Sequence, residues 1–157
     1  MELVEALIPA AGAGSRMGGG VSKPFLEILG VPILVRTLQA FEAHEGVAAM
    51  TVMAAPGEES RVEALIAGAG LAKVRAVRTG GATRQATVLF GLRYLAGQGF
   101  PPDGLVLVHD GARPLVTRGV IDACIDGARR FGACGAAVPV KDTIKESRAV
   151  AASREKT

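Results

Sequence analysis

Short runs of Val, Ile and Leu alternate along this 157-residue chain with longer segments of helical periodicity, and this alternation constrains the fold more than any other feature. Strands are predicted at residues 4–9, 47–54, 73–78, 105–109 and 135–140. Helices are predicted at residues 32–44, 58–67, 83–96 and 117–131. Strands that alternate with helices form a parallel sheet joined by right-handed crossovers. The chain is therefore expected to be one α/β domain, with a mostly parallel sheet and helices on both faces.

Two of the helices carry further local signals. In the third helix Val88, Leu89, Leu92 and Leu95 recur at helical spacing and are expected to form its buried face. Thr117 precedes the fourth helix, where a hydroxyl can accept a hydrogen bond from the first turn. We therefore expect Thr117 to be the N-cap of that helix.

Charge and composition exclude several classes of function. The chain has 18 Lys and Arg against 15 Asp and Glu, a net charge of +3, without a run of basic residues. With five Phe, one Tyr and no Trp, it has few platforms on which single-stranded nucleic acid could stack. Neither a membrane span of ~18–20 apolar residues nor a signal peptide is recognisable. We expect a cytoplasmic protein that binds a small anion, and neither nucleic acid nor a membrane.

The cysteines and histidines give weaker signals. Cys124 and Cys134 lie in apolar or Gly-rich surroundings without metal-binding spacing, so both are expected to be reduced, buried thiols. His44 stands at a predicted helix end and is expected to be solvated. His109 is expected to be packed at a strand end.

Glycines, basic residues and an acid follow four of the predicted strands. Ligands of parallel α/β sheets bind outside the carboxyl ends of the strands, where these segments converge. The segments are residues 10–17 with Lys23 and Pro24, residues 80–84, residues 110–114 and residues 141–143.

The first loop has the character of an anion-binding loop. Gly12 and Gly14 let backbone N–H groups approach phosphate oxygens closely. The loop lacks the third Gly of GxGxxG and does not satisfy GxxxxGK[ST], so neither a dinucleotide fingerprint nor a Walker A loop is present. Arg16 and Lys23 could stabilise the charge that builds up on phosphorus and pyrophosphate oxygens during nucleotidyl transfer.

Asp110 follows an apolar strand and could hold Mg²⁺ or a sugar hydroxyl. Arg113, with Pro114 directly behind it, suits phosphate recognition. Arg84 near a helix start is unusual, because that end of the helix dipole disfavours cations. We expect a bound anion or a nearby acid to compensate for it.

The segments that carry chemistry are Pro9-Ala10-Ala11-Gly12-Ala13-Gly14-Ser15-Arg16-Met17, Lys23-Pro24, Gly80-Gly81-Ala82-Thr83-Arg84 with Thr87-Val88, His109-Asp110-Gly111-Ala112-Arg113-Pro114, and Pro139-Val140-Lys141-Asp142-Thr143-Ile144-Lys145. Together they resemble the 2-C-methyl-D-erythritol 4-phosphate cytidylyltransferases, over nearly the whole chain. The first motif alone would indicate only the wider nucleotidyltransferase superfamily. The resemblance implies a Rossmann-like fold of the nucleotide-diphospho-sugar transferase type with a C-terminal β-hairpin arm.

The resemblance also implies an activity. The family joins CTP to 2-C-methyl-D-erythritol 4-phosphate, releases pyrophosphate, needs Mg²⁺ and serves isoprenoid precursor synthesis by the non-mevalonate pathway. Arg16 and Lys23 would be catalytic, and Asp110 is the candidate metal ligand. The implied nucleotide-binding residues are Ala10, Ala11, Gly12, Gly14, Gly81, Ala82 and Thr87. The implied contacts to the methylerythritol phosphate or the ribose are Asp110, Ala112, Arg113, Thr143 and Arg154.

The family is homodimeric, and its arm reaches the partner's active site. Residues 1–140 would then be the nucleotidyltransferase domain, and residues 141–157 the start of the arm, with Arg154 as its arginine. Ala82 departs from the family, which often has an acid there. The family's chains also continue further, with a QTPQxF segment and a late Lys. We therefore expect these 157 residues alone to show weak or no turnover.

Two other functions are compatible with the residues. One is nucleotidyl transfer to another polyol or sugar phosphate, such as ribitol 5-phosphate, or from another nucleotide. The other is nucleotide binding without catalysis. The identity of the acceptor does not follow from the physical properties of these residues.

Overall fold

The alternation of strands and helices is confirmed in the computed structural model, which describes residues 2–12 and 22–139. In chain order the elements are β1 (Val4–Pro9), β2 (Glu27–Ile28), β3 (Val31–Pro32), α1 (Ile33–Glu42), β4 (Ala49–Ala54), α2 (Glu59–Gly68), β5 (Val74–Thr79), α3 (Arg84–Gly97), β6 (Leu105–Val108) and α4 (Arg118–Phe131). Four strands form a parallel sheet in the order β5-β4-β1-β6. The expected α/β architecture is therefore present.

Strand β1 lies in the middle of the sheet. Leu7 is in register with Thr51 of β4 on one side and with Val108 of β6 on the other. The strand is apolar apart from Glu5, which is 6% exposed and accepts a hydrogen bond of 2.7 Å from the Thr51 hydroxyl. That bond satisfies a polar group which would otherwise be costly to bury.

Alternate residues of β1 serve the two faces of the sheet. Ala6 and Ile8 belong to the main core with Leu34 of α1 and Ile121 of α4. Leu7 points to the other face, where it meets α3. Helices thus cover both faces, as expected, and the carboxyl ends of all four strands meet at one edge.

The buried face of α3 differs from the one expected. Thr87, Gly91 and Leu95 are buried, whereas Leu89 and Leu92 are 43% and 39% exposed. A Cβ at position 91 would overlap the Leu7 side chain. The helix therefore packs on the sheet through its small residues. Of the expected face, Leu95 is buried and Val88 is half-buried, so apolar periodicity identified the buried face only in part.

The predicted fifth strand is also wrong over the residues that the structure describes. Residues 135–139 are exposed and form no strand, and β6 pairs with β1 alone. A cavity of about 1010 Å³ lies between β6, α4 and residues 132–136. A strand forms where its N–H and C=O groups meet a neighbouring strand, and residues 135–139 are not paired with β6 in the structure.

A small hairpin not foreseen from the sequence precedes α1. Strands β2 and β3 pair antiparallel, and the turn between them has positive φ at Leu29 (52°) and Gly30 (73°). Positive φ at both central residues is typical of the tight turn whose twist suits a hairpin. The Arg36 guanidinium donates hydrogen bonds to the Ile28 carbonyl and fixes the hairpin on α1.

His44 is not solvated, contrary to expectation. It is 3% exposed, its Nε2 lies 3.0 Å from Asp122 Oδ1, and its Nδ1 accepts a hydrogen bond from the Gly46 N–H. His109 is packed as expected, with its ring 5.1 Å from that of Phe41. The expected N-cap is confirmed, since the Thr117 side chain accepts a hydrogen bond from the Val120 N–H.

Several expectations fall outside the described residues. They concern Gly14, Arg16, Thr143, Arg154 and the arm over residues 141–157. Among the helices of the described part, none is long and apolar enough to cross a membrane.

Candidate functional site

The loops that follow the strands are tied to the sheet by backbone hydrogen bonds. Ala10 N–H donates to Met53 O at 2.8 Å, Gly80 N–H to Ala54 O at 2.7 Å, and Gly111 N–H to Pro9 O at 2.9 Å. Each bond extends the backbone pairing of the strands into the loop that follows. The loops after β1, β5 and β6 are therefore held at one edge of the sheet.

Small residues let these loops touch. A Cβ at Gly80 would lie 2.5 Å from the Ala11 Cβ, and one at Gly111 would lie 3.2 Å from the Ala10 Cβ. The Ala10-Ala11 segment is therefore flanked by Gly80 on one side and Gly111 on the other. Three segments predicted to converge do so. Gly12 continues from them as an exposed residue, and no described residue lies within 4 Å of the place where its Cβ would stand.

Thr87 holds the Gly80-Gly81 loop from below. Its hydroxyl accepts a hydrogen bond of 3.0 Å from the Gly81 N–H and lies within hydrogen-bond distance of the Gly81 and Thr83 carbonyls. The residue is 2% exposed. Thr87 thus positions Gly81 and does not face the open edge, whereas Ala82 is exposed there.

Asp110 is held between two arginines. Arg84 Nε donates to Asp110 Oδ1 at 2.9 Å, and Arg113 Nε donates to Asp110 Oδ2 at 3.0 Å. Each contact uses one of the five N–H donors of a guanidinium. The cluster has one net positive charge at the first turn of α3, beside the exposed Ala112, and can bind a phosphate with the remaining donors.

These contacts keep Asp110 ionised. Burial alone would raise the pKa of this half-buried carboxyl, but the hydrogen bonds and charges of Arg84 and Arg113 outweigh that effect and lower the pKa below 3.8. The loop is also fixed internally. Arg113 N–H donates to Asp110 O at 3.1 Å, and His109 Nε2 lies 3.0 Å from Arg113 O.

Lys23 is the candidate catalytic cation that lies within the described residues. It begins a single 3₁₀ turn, Lys23–Phe25, in which Pro24 and Phe25 are buried and the Arg61 guanidinium stacks on the Phe25 ring at 3.7 Å. The preceding Ser22 hydroxyl donates to Glu58 Oε2 at 3.2 Å, which ties this turn to the loop after β4. The turn is therefore held near the carboxyl end of β4, and Lys23 is half-buried.

The described residues do not fit a protein-held Mg²⁺. They include no group of three or more Asp, Glu, His or Cys side chains that could surround a metal ion. Both oxygens of Asp110 already accept hydrogen bonds from arginines, so a cation bound there would meet two guanidinium groups. The arrangement at Asp110 suits an anion.

Arg84 is the site residue missed by sequence reasoning. The sequence did signal it, since a cation at a helix start requires compensation. The expected nearby acid is Asp110, which lies 26 residues along the chain and on another strand end. Strands β5 and β6 lie at opposite edges of the sheet, and the loop after β5 reaches across to Ala11 after β1. The pairing therefore depends on tertiary packing, which local patterns do not contain.

A four-stranded parallel sheet with ligand-binding features at its carboxyl edge places this chain in the class of Rossmann-like α/β proteins. Within that class, the sequence profile of the IspD family, described as 2-C-methyl-D-erythritol 4-phosphate cytidylyltransferase, matches residues 4–156. The chain belongs to this family.

Individual relatives agree with this assignment. The chain is 43% identical over 146 residues to a 2-C-methyl-D-erythritol 4-phosphate cytidylyltransferase of Pelotomaculum thermopropionicum, covering 92% of this chain and 60% of the relative. It is 46% identical over 143 residues to one of Desulforamulus reducens, covering 90% of this chain and 59% of the relative. The chain thus spans about three-fifths of the length of these relatives.

Solved structures share the fold. A crystal structure of a 4-diphosphocytidyl-2C-methyl-D-erythritol synthase superimposes with a TM-score of 0.75 at 29% identity, over 94% of this chain and 65% of that chain. The corresponding synthase of Anaerococcus prevotii gives a TM-score of 0.66 at 26% identity, over 82% of this chain and 52% of that chain.

Proposed function

We propose that this chain takes part in transferring CMP from CTP to 2-C-methyl-D-erythritol 4-phosphate, with release of pyrophosphate. Family membership supports the reaction, and the Arg84–Asp110–Arg113 cluster is the single observation that supports it most directly. A phosphorylated polyol offers hydroxyls to a carboxylate and a phosphate to guanidinium groups. Because CTP is a cytoplasmic metabolite, the proposed reaction belongs to the cytoplasm.

The nucleotide side of the proposed site is the Ala10–Gly12 segment with Gly81 and Ala82. The support is steric, since Ala11 packs against Gly80 and no described residue lies within 4 Å of the place where a Cβ on Gly12 would stand. Gly14 belongs to this side by its place in the motif. Thr87 contributes by fixing Gly81. Base recognition through backbone groups is consistent with Ala82, which has no polar side chain.

The acceptor side of the proposed site is the Asp110 cluster. Two arginines that share one carboxylate are held close to each other, and their remaining N–H donors suit a phosphate dianion. Asp110 remains ionised and could accept a hydrogen bond from a polyol hydroxyl. Ala112 lies between Asp110 and Arg113, and Thr143 and Arg154 join this side by motif alone.

Catalysis is assigned to Arg16 and Lys23. Cations fixed beside the reacting phosphorus stabilise the charge of its pentacoordinate state more than that of the ground state. Mg²⁺ fits this proposal as an ion carried by the triphosphate, since Mg²⁺ usually keeps substrate phosphates and water among its ligands.

We also propose that residues 1–140 form the catalytic domain and that residues 141–157 begin an arm for a homodimer. The support is the motif over residues 139–145 and the family match, which continues to residue 156. Sedimentation equilibrium of the chain with and without residues 141–157 would test this. A dimer that persists without those residues would contradict the proposed arm.

The function is tested by CTP binding and by pyrophosphate release. Calorimetric titration of the chain with CTP and Mg²⁺ should show binding that ATP, GTP and UTP do not match. Any pyrophosphate release should require 2-C-methyl-D-erythritol 4-phosphate and should not occur with ribitol 5-phosphate. Equal binding of all four nucleotides, or a preference for ribitol 5-phosphate, would overturn the proposal.

Variants separate the two sides of the site. Arg84→Ala and Arg113→Ala should weaken acceptor affinity and leave CTP binding unchanged, whereas Lys23→Ala should cost about 2–4 kcal/mol of transition-state stabilisation. Arg93 is an exposed arginine in the middle of α3, so Arg93→Ala is the matched control. It should change neither acceptor affinity nor CTP binding. Unchanged turnover in Lys23→Ala would contradict the proposed catalytic role of Lys23.

A further inference from the structure

The two cysteines do not both lie in the core, contrary to the sequence-based expectation. Cys134 is exposed and Cys124 is half-buried. Both line the cavity between β6, α4 and residues 132–136. Their surroundings therefore differ from those of inert, fully buried thiols.

The end of α4 is built to return the chain onto the helix. Gly132 has φ +80° and its N–H donates to Ala128 O at 2.8 Å, which is a left-handed helix end that glycine favours. Two residues later, Cys134 Sγ lies 2.6 Å from the place that a Cβ on Gly127 would occupy. The Cys134 side chain therefore rests on the α4 backbone, one turn from Cys124.

The two thiols are neighbours in the fold. Both line the same cavity, and Cys134 Sγ lies against Gly127, one turn along α4 from Cys124. Burial raises the pKa of the Cys124 thiol, and the neighbouring Cys134 thiol raises it further, against the opposing effect of the Ala136 backbone. A thiol with a raised pKa is a poor first nucleophile. The exposed Cys134 is thus the residue that a reagent in solution reaches, and Cys124 is the neighbour placed to react second.

We propose that Cys124 and Cys134 form an intramolecular disulfide when the protein meets a low-molecular-weight disulfide such as oxidised glutathione. The Cys134 thiolate attacks one glutathione sulfur, forms a mixed disulfide and releases one glutathione thiolate. The Cys124 thiolate then attacks Cys134 Sγ and releases the second. Two protein thiols are oxidised, one glutathione disulfide is reduced, and the two thiol protons end on two glutathione molecules.

The bond would fix residues 132–136 against α4. In the structure, Cys134 Sγ lies against Gly127 of α4. A covalent link would hold residues 132–136 permanently at the side of the cavity beside β6. This inference does not depend on the proposed transferase activity.

Mass spectrometry of the native chain tests the proposal. The reduced protein is incubated with oxidised glutathione, remaining thiols are alkylated, and the protein is digested with trypsin. Arg129 and Arg130 lie between the two cysteines, so trypsin separates them unless a disulfide joins their peptides. We expect mass spectrometry to detect the Cys124 and Cys134 peptides joined by a disulfide. The mixed disulfide with glutathione should appear only at early times.

Variants identify the role of each thiol. In Cys124→Ser the mixed disulfide on Cys134 should accumulate, and in Cys134→Ser glutathione should react more slowly. Gly127→Ala should slow the closing step roughly tenfold by displacing Cys134, while Gly119→Ala, at an open position of α4, should not. The proposal is overturned if the wild-type chain keeps as much mixed disulfide as Cys124→Ser, or forms disulfides between chains instead.

Discussion

At the scale of single residues, the polar side chains of this site hydrogen-bond to other groups of the protein and so fix their positions. Asp110 orients two arginines, and Thr87 orients a backbone amide. The types of residue could be recognised from the sequence as suitable for phosphate chemistry. Their partners could not, because Arg84 and Asp110 are distant along the chain.

The Asp110 cluster predicts a pH-dependent contribution to stability. Because the pKa of Asp110 is lowered below 3.8, its ionised form stabilises the fold above that pH, and this stabilisation is lost as the pH falls through the lowered pKa. Asp110→Asn should therefore be less stable than wild type at neutral pH, by no more than about 1 kcal/mol because water screens these exposed pairs. The gap should close in acid.

Urea unfolding followed by circular dichroism, repeated from neutral pH to about pH 3, measures this gap. Asp103→Asn removes an exposed acid from the loop before β6 and serves as the control. A gap for Asp110→Asn that stays constant with pH would contradict the role of the ionised carboxyl.

Thr87→Val tests whether this residue positions the loop or meets a ligand. The substitution keeps the shape and removes the hydroxyl, so the Gly81 N–H loses its partner, at a cost of about 1–3 kcal/mol in unfolding free energy. Thr87→Ser keeps the hydroxyl and is the matched control. If Thr87→Val weakens CTP binding without loss of stability, Thr87 contacts the nucleotide directly.

At the scale of elements, strand positions follow from runs of Val, Ile and Leu, but the face that a helix buries depends on what it meets. For α3 the sheet surface at Leu7 leaves space only for a glycine. Helix α4 shows the opposite case, because its cap at Thr117 is a local interaction that the sequence determines.

Gly91→Ala should therefore destabilise the fold. Although alanine is the better helix former, its methyl group would overlap Leu7, and overpacking of this kind costs about 1–3 kcal/mol. Gly97→Ala, at the open end of the same helix, should be neutral or slightly stabilising. Thermal unfolding of both variants checks this, and equal effects would contradict the close approach of α3.

At the scale of the whole molecule, His44 joins elements from both halves of the chain. Its Nδ1 accepts the Gly46 N–H, so Nε2 carries the proton and donates to Asp122 of α4. Its carbonyl accepts a hydrogen bond of 2.8 Å from Lys73 Nζ, beside the start of β5. One buried residue thus connects α1, α4 and the entrance to β5.

His44→Ala should lower the unfolding free energy by about 1–3 kcal/mol, because the Gly46 N–H loses its acceptor and a buried ring is removed. Asp122→Ala removes only the exposed partner and should cost less than about 1 kcal/mol. Denaturant midpoints of the two variants give the comparison. Equal losses would show that the hydrogen bond to Asp122, and not burial of the ring, dominates the contribution of His44 to stability.

The sequence by itself determined the order of the four parallel strands and the four helices, and the edge where the loops converge, because these depend on apolar runs, caps and glycines that act over a few residues. It also determined the family. Only the tertiary structure decided that Arg84 meets Asp110, that α3 packs through Gly91, that Thr87 faces inward and that Cys134 returns to α4. Each of these depends on which distant segments become neighbours, and that is set by packing across the sheet.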